Sequence, residues 1–330
     1  MALDRDWWRR DLTPRTTLLL PLACLFGVLA ATRRALYRAG LFESTRVAAP
    51  VVVVGNLTVG GSGKTPLVIC LAQMLAARRL RPGVISRGYA RDGATPREVH
   101  TDSAPAEVGD EPLLIRRRAG VPVFVGGDRV AAARALLKAH ADVDVLLADD
   151  GLQHLALARD FEIAVFDERG AGNRCLLPAG PLRESLGRAA TIDALVFNGD
   201  PRLDLPGFTM RLEPDALYRL IDPTQRRAVG AIARPDVVAA VAGIGNPRRF
   251  FDTLRGLGLA FSEHAFPDHH VFTREDLVQI QAEHIVMTEK DALKCAGFGD
   301  PRIWVLPVSA AVDVRLVDSI MEKLRGRQAA

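Results

Sequence analysis

Cysteine is scarce and scattered in this sequence: Cys24, Cys70, Cys175 and Cys295 stand far apart, with no Cys-x-x-Cys pair. That spacing argues against a disulfide framework or a thiolate zinc site and fits a reducing compartment. Aromatic residues are also few, with 3 Tyr and 3 Trp in 330 residues, and no stretch interleaves them with basic side chains. A base-stacking platform for nucleic acid is therefore missing. The net charge of +4 favours anionic partners such as phosphates or acidic headgroups, but is too small to argue for nucleic acid. There is no fixed-period repeat and no low-complexity tract.

What is present describes a folded chain. Hydrophobic residues make up 48% and charged residues 25%, and 330 residues suffice for one large domain or two moderate ones. The longest uncharged run lies near the start: residues 16–32 carry no charge, and 18–29 are apolar on every face. A spanning helix needs about 20 apolar residues, so this run sits at the lower limit. Trp7 and Trp8 precede it, and Arg9, Arg10, Arg15, Arg33, Arg34 and Arg38 flank it, side chains suited to a headgroup layer. Asp4, Asp6 and Asp11 spoil the positive leader of a signal peptide. Residues 1–40 are expected to form an uncleaved membrane anchor, spanning or lying in the interface, with a buried core helix as the alternative.

From residue 41 strand and helix patterns alternate. Val51–Gly55 is a β-branched run of buried-strand length, and residues 66–79 place Leu67, Cys70, Leu71, Met74 and Leu75 on one helical face. Strand patterns follow at 83–86, 121–125, 144–149, 162–167 and 192–198, with an Ala-rich helix at 129–140. Uniformly apolar strands alternating with helices predict an α/β fold with a mostly parallel sheet covered on both faces. The rhythm changes over 201–235, toward antiparallel strands or a linker. A second α/β unit then reads as strand 237–242, turn 243–247, helix 248–257, strands 285–288 and 303–307, and a closing helix at 314–324. The expected organisation is a core over 41–215 and a smaller C-terminal lobe over 216–330, with a cleft between them.

The first core strand leads into Thr58-Val59-Gly60-Gly61-Ser62-Gly63-Lys64-Thr65 and then into a helix. Strand, Gly-rich loop and helix in that order make a phosphate cradle. Successive backbone N–H groups converge on phosphate oxygens, and the helix N-terminus adds partial positive charge. Lys64 is expected to reach the β- and γ-phosphates of ATP, and the Thr65 hydroxyl to ligate Mg²⁺. The general P-loop motif has Gly where this chain has Thr58. Asp149 closes an apolar strand in the manner of a Walker B acid, with Asp150 directly after it, so a metal site is expected at that sheet edge.

Gly109-Asp110-Glu111-Pro112 reads as a turn with two acids in a long loop, able to supply a base to a substrate hydroxyl. Pro267-Asp268-His269-His270 reads as a loop with two imidazoles. Thr288-Glu289-Lys290-Asp291 has the look of a helix cap, and its order is wrong for the guanine-reading Asn/Thr-Lys-x-Asp pattern, which weakens a GTPase reading.

Together these segments resemble one family, the tetraacyldisaccharide 4'-kinases of lipid A biosynthesis, along nearly the whole chain. The resemblance rests on the apolar N-terminal helix, Val54-Gly55-Asn56-Leu57 running into the P-loop, Ser86-Arg87-Gly88-Tyr89 and Gly109-Asp110-Glu111-Pro112. It continues through Asp149-Asp150-Gly151-Leu152-Gln153-His154, Leu177-Pro178-Ala179-Gly180-Pro181-Leu182-Arg183-Glu184, Phe266-Pro267-Asp268-His269 and Met287-Thr288-Glu289-Lys290-Asp291-Ala292. In that family Thr at the first P-loop position is usual.

The resemblance implies a P-loop NTPase core and transfer of the ATP γ-phosphate to the 4'-hydroxyl of a lipid A disaccharide 1-phosphate, at the cytoplasmic face of the inner membrane. It implies Asp110 as the base, His269 as the residue that orients it, and Lys64 and Asp150 as further catalytic residues; the adjacent His270 leaves the choice of imidazole open. Thr58, Val59, Gly60, Gly61, Ser62, Gly63, Lys64 and Thr65 would cradle ATP. Thr65, Asp149 and Glu111 would serve Mg²⁺, and Arg87, Tyr89, Arg183 and Glu184 would face the substrate. The expected partners are the glycolipid and the membrane surface, without nucleic acid. The alternatives are a P-loop ATPase or a small-molecule kinase acting at the membrane. A transporter ATPase would carry a Leu-Ser-Gly-Gly-Gln signature, and no such run is present.

Overall fold

Val52 and Val54 point to one side of the central strand and Val51 and Val53 to the other, and all four are buried, so both faces of its sheet have to be covered. The structure, a computed structural model, describes residues 2–88, 95–200, 203–232 and 237–328. Three helices come first: α1 (Ala2–Trp7), α2 (Pro14–Leu18) and α3 (Leu20–Arg38). The larger lobe follows with β1 (Val51–Gly55), α4 (Lys64–Ala77), β2 (Pro82–Ser86), β3 (Arg97–Glu98), α5 (Pro105–Val108), α6 (Asp110–Ala119), β4 (Val123–Val125), α7 (Arg129–Ala139), β5 (Val145–Asp149), β6 (Phe161–Asp167), β7 (Ala194–Asn198) and β8 (Phe208–Pro214). The smaller lobe holds β9 (Leu217–Arg219), β10 (Asp222–Arg227), β11 (Val238–Ala242), α8 (Pro247–Gly256), β12 (Ser262–Ala265), α9 (Arg274–Val278), β13 (His284–Thr288), α10 (Glu289–Cys295) and β14 (Ile303–Leu306). Two further elements, β15 (Val308–Val312) and α11 (Val314–Gln328), complete the described chain.

Among the described residues the larger sheet has nine strands in the order β15-β8-β7-β6-β1-β5-β2-β4-β3. Its strands run parallel except at the two edges, where β3 and β15 pair antiparallel with their neighbours. The smaller sheet runs β10-β9-β14-β13-β11-β12, parallel over its last four strands. The α/β architecture with a mostly parallel sheet is thus as expected. In the larger sheet β1 lies between β5 and β6, so the loops after β1 and β5 open side by side at one edge.

Three features differ from the sequence reading. The chain crosses between the sheets twice, after Pro214 and again at Pro307, where Asp215 N–H donates to the Pro307 carbonyl at 3.0 Å. Residues 308–328 therefore join the larger lobe: β15 completes an edge beside β8, and Leu316, Val317, Ile320 and Leu324 of α11 pack into the same core as Leu67 and Leu71 of α4. Secondly, Asp110 lies not in a loop but at the first position of α6, next to Gly109 with φ +91°.

Thirdly, the uncharged N-terminal run is broken into α2 and α3, with Thr13 and Thr16 forming a capping box at the start of α2. Trp7 and Trp8 face the protein and not outward: Trp7 Nε1 donates to the Pro178 carbonyl at 3.0 Å, and the Trp8 ring lies 4.0 Å under the Arg169 guanidinium. The last turns of α3 are tied down too, Arg33 to the Gln153 carbonyl at 3.2 Å and Arg34 to the Glu184 carboxylate. Leu18, Leu22, Leu25, Val28 and Leu29 remain exposed.

Candidate active site

The loop between β1 and α4 is held from three sides. Asn56 Nδ2 donates to the Gly60 carbonyl at 3.2 Å, Asn198 Nδ2 donates to the Ser62 carbonyl at 3.0 Å, and Val59 N–H donates to the Pro181 carbonyl at 2.9 Å. The helix begins at Lys64, two residues before the point its apolar periodicity indicated, which brings its N-terminus to the loop mouth. Gly63 has φ +94°, and a Cβ there would fall 2.3 Å from Asn198 Nδ2. Gly63→Ala is expected to lose ATP binding and lower the thermal midpoint. The left-handed backbone alone costs an Ala about 1–3 kcal/mol, before the clash is relieved. An unchanged midpoint with normal ATP titration would contradict this.

Lys64 Nζ lies 3.5 Å from Asp150 Oδ1, and Arg183 Nη1 lies 3.3 Å from the same carboxylate. Burial pushes the Asp150 carboxyl up, but the charges of Lys64 and Arg183 outweigh it and leave the group below the usual carboxylate range. Asp149, one residue earlier, is in the opposite condition. It is buried, Ser86 Oγ donates to its Oδ2 at 3.0 Å, and its Oδ1 has no hydrogen-bond partner among the described residues. Burial above all, then Glu111 and Asp150 nearby, pushes its carboxyl up against the opposing pull of Lys64 and Ser86. The adjacent acids thus differ because cations outweigh burial at Asp150 and burial outweighs them at Asp149.

The turn after β11 brings the smaller lobe against the P-loop: a Cβ on Gly245 would fall 3.0 Å from the Gly61 amide nitrogen. The same lobe carries His269, whose Nδ1 lies 3.5 Å from Asp110 Oδ2. His269 has φ +59°, in the left-handed region that few non-glycine residues adopt. His270 points elsewhere, Nε2 lying 3.0 Å from Asp276 Oδ2 and the ring packed against Phe266 and Phe272. Asp110 is 7% exposed. Burial would raise its carboxyl, but the His269 contact and the charges of Lys290 and Lys294 hold it well below the usual range. Glu111 Oε1 is met by Lys290 Nζ at 3.0 Å.

Arg183 and Glu184 line a cavity of about 300 Å³ with Phe26, Leu29 and Ala30 of α3. Glu184 is not free to move, since Arg34, Arg188 and Gln153 all contact its carboxylate. Arg87 is exposed, and Tyr89 lies outside the described residues.

The site contains residues that the sequence reading gave no role. Ser86 and Asn198 brace Asp149 and the P-loop; Lys290 and Lys294 flank Asp110. Arg129 is buried at the start of α7, its guanidinium brought down to about 10 by burial. His154 is pushed down to about 4 by burial and by the nearby charges of Arg129 and Arg87. The one local signal was the position of Lys290 and Lys294 on a single helical face, one turn apart, after Thr288.

Comparison with known proteins identifies the family and the fold. The family described as Tetraacyldisaccharide-1-P 4'-kinase matches residues 15–325. A tetraacyldisaccharide 4'-kinase of Dechloromonas aromatica is 50% identical over 333 residues, covering 99% of this chain and 98% of that protein. One of Janthinobacterium sp. is also 50% identical, covering 99% of this chain and 97% of that protein. A crystal structure of LpxK from Aquifex aeolicus in complex with ATP superposes with a TM-score of 0.78 at 29% identity, covering 94% of this chain and 99% of that one.

Proposed function

We infer the activity from kinship and geometry together: the chain belongs to the tetraacyldisaccharide-1-P 4'-kinase family. It is an ATP-dependent kinase that phosphorylates the 4'-hydroxyl of a tetraacyldisaccharide 1-phosphate, a step of lipid A biosynthesis. The observation that supports the chemistry is a pair of contacts near the lobe boundary: Lys64 with Asp150 beside the P-loop, and Asp110 with His269 across the lobes, with Gly245 of the smaller lobe against Gly61 of the P-loop.

In this mechanism the P-loop amides, Gly60 through Thr65, hold the β- and γ-phosphates, and Lys64 leans from Asp150 toward the γ-phosphate to offset the charge shifted there. Asp110 takes the proton of the acceptor hydroxyl. A carboxylate so far below the usual range is a weak base, which suits a loose transition state where the proton leaves late. His269 fixes the carboxylate rotamer through Nδ1. A divalent cation such as Mg²⁺ would suit the place beside Asp149, whose buried Oδ1 lacks a hydrogen-bond partner among the described residues and which has Glu111 and Asp150 nearby as well as Lys64. Asp149, Thr65 and Glu111 would hold it, and bound there it would neutralise phosphate charge. Arg87, Tyr89, Arg183 and Glu184 are assigned to the acceptor side, with the cavity under α3 placed to take an acyl chain.

We assign α3 to the membrane interface, at the cytoplasmic leaflet of the inner membrane where ATP is available. The helix is long and apolar enough to cross a bilayer. Its ties through Arg33 and Arg34 would drag the core along if it did, so lying in the interface fits better. Replacing Leu18, Leu22 and Leu25 by Glu should release the protein from anionic vesicles in a flotation assay, since each exposed Leu contributes about 1.5–3 kcal/mol when buried. Turnover of detergent-dispersed acceptor should stay near normal. Unchanged flotation would contradict the assignment.

The function itself is tested by supplying purified protein with labelled ATP, with and without tetraacyldisaccharide 1-phosphate. ATP consumption that depends on the glycolipid, with label transferred to it, is expected. Equal consumption without acceptor would favour an ATPase.

A further inference from the structure

Two ammonium groups crowd the Asp110 carboxylate, and both come from α10 of the other lobe. Lys294 Nζ lies 3.5 Å from Asp110 Oδ2 and 3.1 Å from Asp291 Oδ1. Lys290 Nζ lies 3.8 Å from Asp110 Oδ2, 3.0 Å from Glu111 Oε1 and 3.6 Å from Asp268 Oδ1. Neither is a surface lysine, the side chains being 11% and 15% exposed. Burying an ammonium group is unfavourable unless anions meet it, so these contacts are part of how the lobes fit together.

Lys294 has a partner on each side of the lobe boundary. Within α10 it meets Oδ1 of the buried Asp291, whose Oδ2 accepts from the Gly243 N–H at 3.0 Å and from Thr288 Oγ1 at 2.8 Å. What Lys294 adds is its reach across the lobe boundary. There the Asp110, Glu111 and Asp268 carboxylates converge, and without cations between them they would repel one another. The geometry is fixed at the other end of the same helix pair as well. Arg118 of α6 donates to Glu289 of α10 at 2.6 Å, and Glu289 Oε2 accepts the Val308 N–H at 3.3 Å, next to the Pro307 crossing. The helix that starts with Asp110 is thus pinned along its length to the helix that carries the lysines.

We propose that Lys294, supported by Lys290, is a positioning residue for phosphoryl transfer: it holds the Asp110 carboxylate against His269, so the base is assembled only when the smaller lobe is docked. This rests on Asp110 acting as the base. The lysines touch neither the P-loop nor the cavity under α3 among the contacts described, so they act on the chemical step and not on ATP capture.

The test uses the full chain with Lys294→Met, which keeps the aliphatic stem and removes the charge, and Lys294→Arg, which keeps the charge. The Met variant should lose about 10–100-fold in kcat, the scale of a misplaced catalytic group, with KM for ATP within about twofold. The Arg variant should recover a large part of that loss, which a packing role would not predict. Lys290→Met, which leaves Asp291 untouched, serves if the Lys294 variants fail to fold, and should show the same split between kcat and KM. Combined with His269→Ala, either Met substitution should add little to the single loss. A kcat within twofold of the parent for both Met variants, or full additivity with His269→Ala, overturns the proposal. Asp110→Asn measured beside them separates the two ideas: if it stays active, the base assignment fails on its own.

Discussion

Lys64→Ala should lower kcat by about 10²–10³-fold, the scale seen when one preorganised charge-stabilising donor is removed from a water-poor site, while the protein stays folded. The expectation follows from where the ammonium group lies. It projects from the first residue of α4 into the loop mouth, and its described ion partner is Asp150. Asp150 keeps Arg183 at 3.3 Å when Lys64 is gone, so no carboxylate is left stranded. Asp150 lies below its ordinary value in the folded protein, so the stabilisation from its cations is present above the unfolded carboxylate range and lost as pH falls below it. At neutral pH, losing one of the two partners of this partly exposed group should cost about 1 kcal/mol or less. Steady-state kinetics beside a thermal melt check both halves. Turnover within tenfold of the parent would mean that the γ-phosphate does not lie at this loop.

Asp110→Ala and His269→Ala should each reduce kcat by about 10²–10⁴-fold, the usual contribution of general base catalysis, with ATP affinity nearly unchanged. The double variant should be hardly worse than the more damaged single one, because the imidazole acts through the carboxylate. The 3.5 Å separation of His269 Nδ1 and Asp110 Oδ2 and the poor exposure of Asp110 support this coupling. His270→Ala should change kcat little, since its imidazole is taken by Asp276 and two phenylalanine rings. Single-turnover measurements would separate the chemical step from product release. Fully additive losses in the double variant would dissolve the pair into two independent contributions.

How much of this was legible in the sequence depends on how far apart the cooperating residues lie. The P-loop was readable because strand, loop and helix follow one another within fifteen residues, and each has its own local pattern. Asp149 and Asp150 were readable because they end an apolar run. Their opposite environments were not, since Lys64, Arg183, Glu111 and Ser86 arrive from elsewhere in the chain. The start of α6 was missed because Pro112 and the preceding glycine look like a loop, whereas Pro is welcome in a first helical turn. Trp7 and Trp8 had the composition of a membrane belt, yet the Pro178 carbonyl and the Arg169 guanidinium were the partners they found. Of the partners of Glu184, Arg188 stands four residues on and was within local reach, whereas Arg34 and Gln153 arrive from distant segments.

The double crossing at Pro214 and Pro307 has a bearing on how the molecule is assembled during synthesis. As the chain emerges, β8 is made about a hundred residues ahead of β15, its antiparallel neighbour, in which Val312 faces Met210. Until then one edge of the nascent sheet has unpaired amides and carbonyls, the condition that invites association with other chains. The intervening segment has its own hydrophobic clusters and can collapse separately in that interval. The last hydrogen-bonded ladder of the larger sheet therefore cannot close until the lobe inserted into it has been synthesised, and destabilising that insert should show first as aggregation on expression.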